Sequence, residues 1–242
     1  MSASTPSRDA DNWAPKVERL RVPAAARSHG YNVDGKRVSG PQQGFGRMWQ
    51  RIYRADLGTV VTPERLIADW RANFGSYWPR GARFYGASAS IQPGDVAPLG
   101  SPGMTSGVLV IYADETSFTF LTPEGHLFAA LITFSGERNE TDAATGVAGT
   151  AAQIRILLRC SDPIFESMWP VVRRGESLMW IHTLRSLAAT YGVADVSVEE
   201  HTECLDRRRL WRNWRNIKDN SGIRTVWHAV STPLRPRSRA AG

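Results

Sequence analysis

Apolar residues recur along this chain with two different periods, and the switches between them predict its elements. In "RMWQRIYRADL" (Arg47 to Leu57), Trp49, Tyr53 and Leu57 fall on one side of a two-residue alternation, which predicts a strand. A helix start follows. Thr62 can cap, Pro63 suits the first helical position, and Glu64 favours the positive end of the helix. Leu66, Trp70 and Phe74 then recur at i, i+4 and i+8 with Ile67 beside them, and Gly75 stops the run. "YWPRGARFYGASASI" leads into another strand, whereas "QPGDVAPLGSPGM" has the Pro and Gly density of a loop.

The middle of the chain predicts an antiparallel meander. "GVLVIYA" and "FTFL" are joined by "DETS", and "HLFAALITFS" follows the turn "TPEG", with Pro123 second and Gly125 last. "GERNETDAATGVAGT" has the composition of a mobile loop. In "AAQIRILLRC", Ile154, Ile156, Leu158 and Cys160 share one face while Gln153, Arg155, Leu157 and Arg159 share the other, as in a sheet with one buried side. Asp162-Pro163 opens a long helical stretch that Pro170 kinks or breaks. Trp180, Leu184, Leu187 and Tyr191 form its apolar stripe, and Gly192 ends it. "VSVEEHTECL" fits one more strand.

One segment departs from simple alternation. In "HLFAALITF", His126, Phe128, Ala130, Ile132 and Phe134 face one way and Leu127, Ala129, Leu131 and Thr133 the other, and both faces are mainly apolar. One face can pack on a helix; the second needs a cover of its own, or lines a cavity in a curved sheet. The alternative is a plain α+β core without a cavity.

The order of elements resembles the helix-grip fold of the START-like (SRPBCC, polyketide cyclase-like) superfamily. The resemblance rests on "RIYRADLGTVVTPERLIADWRANFGSYWP" at the front and "ESLMWIHTLRSLAATYGV" at the back, and covers roughly Gly44 to Gly192. It implies an α+β domain in which a curved antiparallel sheet wraps around a long C-terminal helix and encloses an apolar cavity. The superfamily includes lipid carriers, hormone receptors, cyclases and oxygenase subunits, so the fold alone does not choose a function.

Charge divides the chain. Residues 1–39 carry 7 basic and 4 acidic side chains, residues 40–200 carry 13 and 16, and residues 201–242 carry 10 and 3. Any basic partner-binding surface is therefore expected at the ends of the chain. The expected organisation is a flexible arm over 1–40, a ligand-binding domain over 41–200, and a basic, aromatic extension over 201–242 ending in a flexible tail. The first residues lack the apolar core of a signal peptide, and no apolar run approaches the ~20 residues of a membrane span. Two cysteines without metal-ligand spacing, Cys160 and Cys204, fit buried thiols in a reducing cytoplasm.

Candidate chemistry is sparse. His126, at a strand start, is the candidate base or ligand hydrogen-bond partner; the plain alternative is a turn histidine bonded to Thr122 or Glu124. His182 is expected to face solvent. Neither HExxH nor CxxC nor a nucleophile motif occurs, so no metal or other cofactor is expected. The expected ligand-binding wall comprises Trp70, Phe74, Trp78, Tyr85, Phe118, Phe120, Phe128, Ile132, Trp180 and Leu184; Arg83 is either a ligand-carboxylate partner or a surface strand residue. "RRRLWRNWRN" (Arg207 to Asn216) can grip a nucleic-acid backbone and stack bases, but Trp211 and Trp214, three apart, are expected to share a helix face that packs on the domain. The reading that follows is binding of a small apolar or aromatic molecule, a lipid among them. An enzyme of cyclase or hydrolase type using His126 is the alternative, and a nucleic-acid partner comes last. The oligomeric state is not legible.

Overall fold

A computed structural model describes residues 10–86, 91–101, 104–141 and 148–231. Its centre is one antiparallel sheet in the order β2-β3-β4-β5-β6-β7-β1-β8. The strands are β1 (Met48–Asp56), β2 (Arg83–Phe84), β3 (Val96–Ser101), β4 (Met104–Ala113), β5 (Ser117–Leu121), β6 (Phe128–Thr141), β7 (Ala148–Cys160) and β8 (Val198–Asp206). The helices are α1 (Pro63–Ala72), α2 (Pro163–Ser167), α3 (Trp169–Ala189) and α4 (Ser221–Ser231). The sheet curves around α3, which is the helix-grip arrangement expected from the sequence.

Local signals explain most boundaries. Thr62 accepts the backbone N–H of Arg65 at 3.3 Å and caps α1, with Pro63 at the first position. Asp162 accepts from Ile164 and Phe165 at the start of α2. The break between α2 and α3 falls at Met168, and Pro170 sits in the first turn of α3, where a missing N–H costs nothing. Asp114 folds "DETS" by accepting the N–H groups of Thr116 and Ser117 at 2.8 and 2.6 Å.

Four expectations change. The Pro-rich stretch read as a loop contains β3, whose Pro98 pairs with Gly107 of β4 while its carbonyl accepts from Tyr85. The segment read as a mobile loop instead extends β6 to Thr141 and begins β7 at Ala148; residues 142–147 lie outside the described residues. Strand β8 follows the long helix and pairs with β1, so a boundary at residue 200 would cut that strand. The arm packs from residue 10 onward. Leu20, Val22, Ala26 and Val33 are buried against Val96 and Leu109 on the outer side of β3 and β4. Ala14 donates to the Ile111 carbonyl at 2.9 Å, and Ser39 to that of Thr122 at 2.7 Å.

The turn that follows the arm covers part of the second apolar face of β6. Phe128, Ala130, Ile132 and Phe134 face the helix side with Leu158, Ile156 and Ile154. On the opposite side Ala129 is fully buried beneath the turn at Pro41–Gln43 and Gly44. That approach requires glycine: a Cβ on Gly44 would lie 2.6 Å from the Cβ of Arg159 and 3.0 Å from that of Ala129.

Helix α3 is fastened through a buried ion pair. Arg51 of β1, fully buried, donates from Nη1 to the Glu176 carboxylate and, at 3.2 Å, to the Arg173 carbonyl, both in α3. Its Nη2 donates to Ser177 Oγ at 2.7 Å and to Glu200 Oε1 of β8 at 2.6 Å, and Nε reaches Thr202 Oγ1 at 3.3 Å. All five donors of the guanidinium fork are thereby used. The other Glu176 oxygen accepts from Trp180 Nε1 at 3.3 Å.

Two predictions follow from this packing. Leu20→Ala should cost about 2–5 kcal/mol in urea unfolding, the range for a buried leucine; an unchanged midpoint would mean that the arm is not part of the folded core. Arg51→Met should destabilise by about 3–5 kcal/mol, because it strands the Glu176 carboxylate, and the double variant Arg51→Met/Glu176→Leu should recover most of that loss. Additive losses in the double variant would show that the two groups are not coupled.

Candidate functional site

Between the inner face of the sheet and α3 lies an apolar cavity of about 360 Å³. The sheet supplies Phe120, Phe128 and Ile132 from β5 and β6, Ser106 and Val108 from β4, and Leu99 from β3. The helix supplies Val172, Glu176, Met179 and Trp180. Phe74 and Trp78 come from the 3-10 turn Phe74–Tyr77 and its C-cap, which follow α1. Phe74 anchors that wall, making edge-on contacts with Trp78, Phe84, Phe118, Phe120 and Phe134 at centroid distances from 5.0 to 5.7 Å.

Of the residues expected to line the site, seven border the cavity: Phe74, Trp78, Phe120, Phe128, Ile132, Trp180 and His126. Three others form the packed layer behind the wall. Trp70, Phe118 and Leu184 are fully buried in the core, with Trp70 edge-on to Phe118 and Phe134. Periodicity and aromatic clustering identify the buried face of an element but not which part of that face a void reaches. Tyr85 lies elsewhere: it packs with the arm and stacks on His29 at 3.8 Å. Arg83 is exposed and absent from the cavity wall.

The sequence reading missed Leu99, Ser106 and Met104, because the stretch before Gly107 read as a loop. It also missed Glu176, which lies four residues before Trp180 and so heads the same stripe. A carboxylate on the buried stripe of a helix needs a buried partner, and that was the available signal. Burial pushes the Glu176 carboxyl above the usual range, opposed by the charge of Arg51.

His126 is half-buried at the cavity, and its Nδ1 lies 3.0 Å from both the N and the O of Phe128. It therefore bonds locally, as a turn histidine, but to Phe128 rather than to Thr122 or Glu124. Desolvation lowers its pKa from 6.5 to about 4, against the opposing contact with the Phe128 backbone. Among the described residues no carboxylate bonds the ring. A neutral imidazole without a carboxylate behind it is a weak base at pH 7 but an adequate hydrogen-bond partner. Among the described residues, no three His, Cys, Asp or Glu side chains are grouped to hold a metal ion, and no helix is long and apolar enough to cross a membrane.

The basic segment folds as a 3-10 helix, Trp211–Asp219. Its tryptophans do not pack inward as expected: Trp211 and Trp214 are mostly exposed, although Trp211 meets Phe45 edge-on. Asparagines hold the helix instead. Asn213 donates to the carbonyls of Gln42 and Gly44, and Asn216 to those of Gln43 and Ser161. Arg208 pairs with Asp206, and Arg209 with Glu166.

The fold and site define a class: a helix-grip architecture enclosing an apolar cavity. No family model matches the chain, and no curated protein matches it. Similar solved structures include protein Ms6760 from Mycobacterium smegmatis, at 16% identity over 58% of this chain and 89% of that one, with a TM-score of 0.40. Ara h 8.0201 is 14% identical over 59% of this chain and 97% of its own, with a TM-score of 0.37. Protein CV1439 from Chromobacterium violaceum is 12% identical over the same shares, with a TM-score of 0.39.

The depressed histidine gives a pH prediction. Between pH 6.5 and about 4 the unfolded chain protonates His126 and the folded chain does not, so the unfolded state binds more protons and stability falls as pH falls through that window. His126→Gln should remove this part of the slope. Equal slopes for parent and variant in urea unfolding at a series of pH values would place the imidazole in water.

Proposed function

We propose that this protein is a distant START-like chain that binds a small apolar or aromatic molecule between α3 and the sheet. The observation that supports this reading is the cavity itself, about 360 Å³ in volume and walled by Phe74, Phe120, Phe128, Met179 and Trp180. That volume falls within the range of ~300–1,000 Å³ usual for small-molecule sites. The polar groups on the wall are few. His126 and Ser106 are suited to orienting one oxygen or nitrogen of the ligand, whereas Glu176 is engaged by Arg51 and Trp180.

Filling the site from a position that tolerates bulk tests this directly. Ala130 is unsuitable, because it is fully buried in the core and not on the cavity wall. Gly175 of α3 borders the cavity, and a Cβ there would meet nothing within 4 Å. Gly175→Phe should leave stability within about 1 kcal/mol of the parent, since a glycine inside a helix is itself unfavourable. The parent should enhance the fluorescence of N-phenyl-1-naphthylamine, and the variant should bind it at least about tenfold more weakly, a loss of ~1.4 kcal/mol. An inert parent, or a variant that binds equally well, would remove the ligand reading.

A further inference from the structure

Helix α4 is mounted with its apolar side outward. Ile223, Val226, Trp227 and Val230, at i, i+3, i+4 and i+7, share one face, and all are exposed, Trp227 by 72% and Val230 by 79%. The side turned to the domain is polar. Thr225 Oγ1 accepts from Asn32 Nδ2 at 3.0 Å and from the Thr105 N–H at 3.3 Å, and His228 stacks on Tyr31 at 4.1 Å. The orientation is fixed at the helix start as well. The Asn220 side chain accepts from Ile223 N at 3.0 Å and donates to Asp162 at 2.7 Å, and Ser221 donates to the Gly125 carbonyl at 2.9 Å. Folding therefore spends the polar side of this amphipathic helix on the domain and leaves the apolar side for something else.

That face borders an apolar groove of about 680 Å³, whose other wall is Ile164, Phe165 and Met168. Met104 and Leu127 belong both to this groove and to the ligand cavity, so the exposed face lies beside the cavity wall. On the neighbouring α3, exposed Val171, Arg174 and Leu178 fall on one side, at i, i+3 and i+7.

Charge identifies the occupant. Residues 201–242 carry ten basic and three acidic side chains, and the eleven residues after Ser231 include three arginines and no acid. Two of those acids are already paired, Asp206 with Arg159 and Arg208, and Asp219 with Lys36. A second copy would bring the same positive excess against itself. An anionic bilayer offers the complement, with hydrocarbon for the apolar face, an interface suited to tryptophan, and headgroups for the arginines. We propose that the outward face of α4 docks this protein on anionic membrane surfaces, beside the wall of its cavity. This step does not depend on the cavity holding a ligand.

Cosedimentation of the full chain with vesicles tests it. The parent should pellet with vesicles of phosphatidylcholine and phosphatidylserine at about 7:3, and bind at least about tenfold less to phosphatidylcholine alone. Trp227→Ser/Val230→Ser, at exposed positions where the fold should tolerate change, should lose binding to the mixed vesicles while keeping the parent's unfolding midpoint and its N-phenyl-1-naphthylamine response. The proposal fails if the parent stays in solution, or if the variant pellets as well as the parent. It also fails if the parent is a dimer without vesicle binding that the variant converts to monomer, which would assign the face to a second copy.

Discussion

The guanidinium of Arg51 is the point on which the architecture converges. It sits in a strand, faces the helix, and ties its own β1 to two elements that are distant in sequence, α3 and β8. A charge in that position is expensive unless every donor finds an acceptor, and here every donor does. The arrangement fixes the rotation of α3 about its own axis. With Glu176 tied to Arg51, Trp180 one turn later is directed to the cavity wall, and Leu184 and Leu187 beyond it face the core. An apolar helix lying on an apolar sheet can slide; one pinned by a fork of directional bonds has a single register.

The cavity depends on that register. Its sheet side is built from aromatic rings braced edge-on against one another around Phe74, a packing that resists collapse because each ring is supported by several neighbours. Its helix side mixes Met179 and Val172 with the restrained Trp180. Stiff wall and pinned helix together hold open a space that close packing would otherwise remove.

The sequence revealed those parts of the fold whose causes are local. The Thr62-Pro63-Glu64 start of α1, the Asp162 cap, the alternation of β7 and the presence of a turn at Gly125 all depend on residues within a few positions of each other, although that turn closes from His126 N to the Pro123 carbonyl, with Gly125 third at φ +84° and not last. The arm did not show itself, because Leu20, Val22 and Val33 fit the outer face of β3 and β4 without any regular element of their own, and hence without a period. Strand β3 was obscured because its Pro98 and Gly100 read as loop residues, although among the described residues the strand has only the two-residue β2 on its far side. Seven of the eleven expected site residues border the void, since the buried side of an element is legible. Which portion of that side is left unfilled depends on the other elements. Tyr85 failed for a related reason: an aromatic residue beside a strand can face either layer, and here the arm provided a second one.

The position of β1 has a consequence for biosynthesis. Ile52 is paired with Arg155 on one side and with His201 on the other, so a strand made early acquires both neighbours only from chain made much later. While the ribosome is still producing the meander, β1 has no hydrogen-bonding partner from either strand, and Arg51 has none of the acceptors contributed by α3 and β8. The sheet is completed at its second edge only when residues 198–206 emerge. Contacts so distant in sequence close slowly, and β1 can take its place in the sheet only after both β7 and β8 have been made.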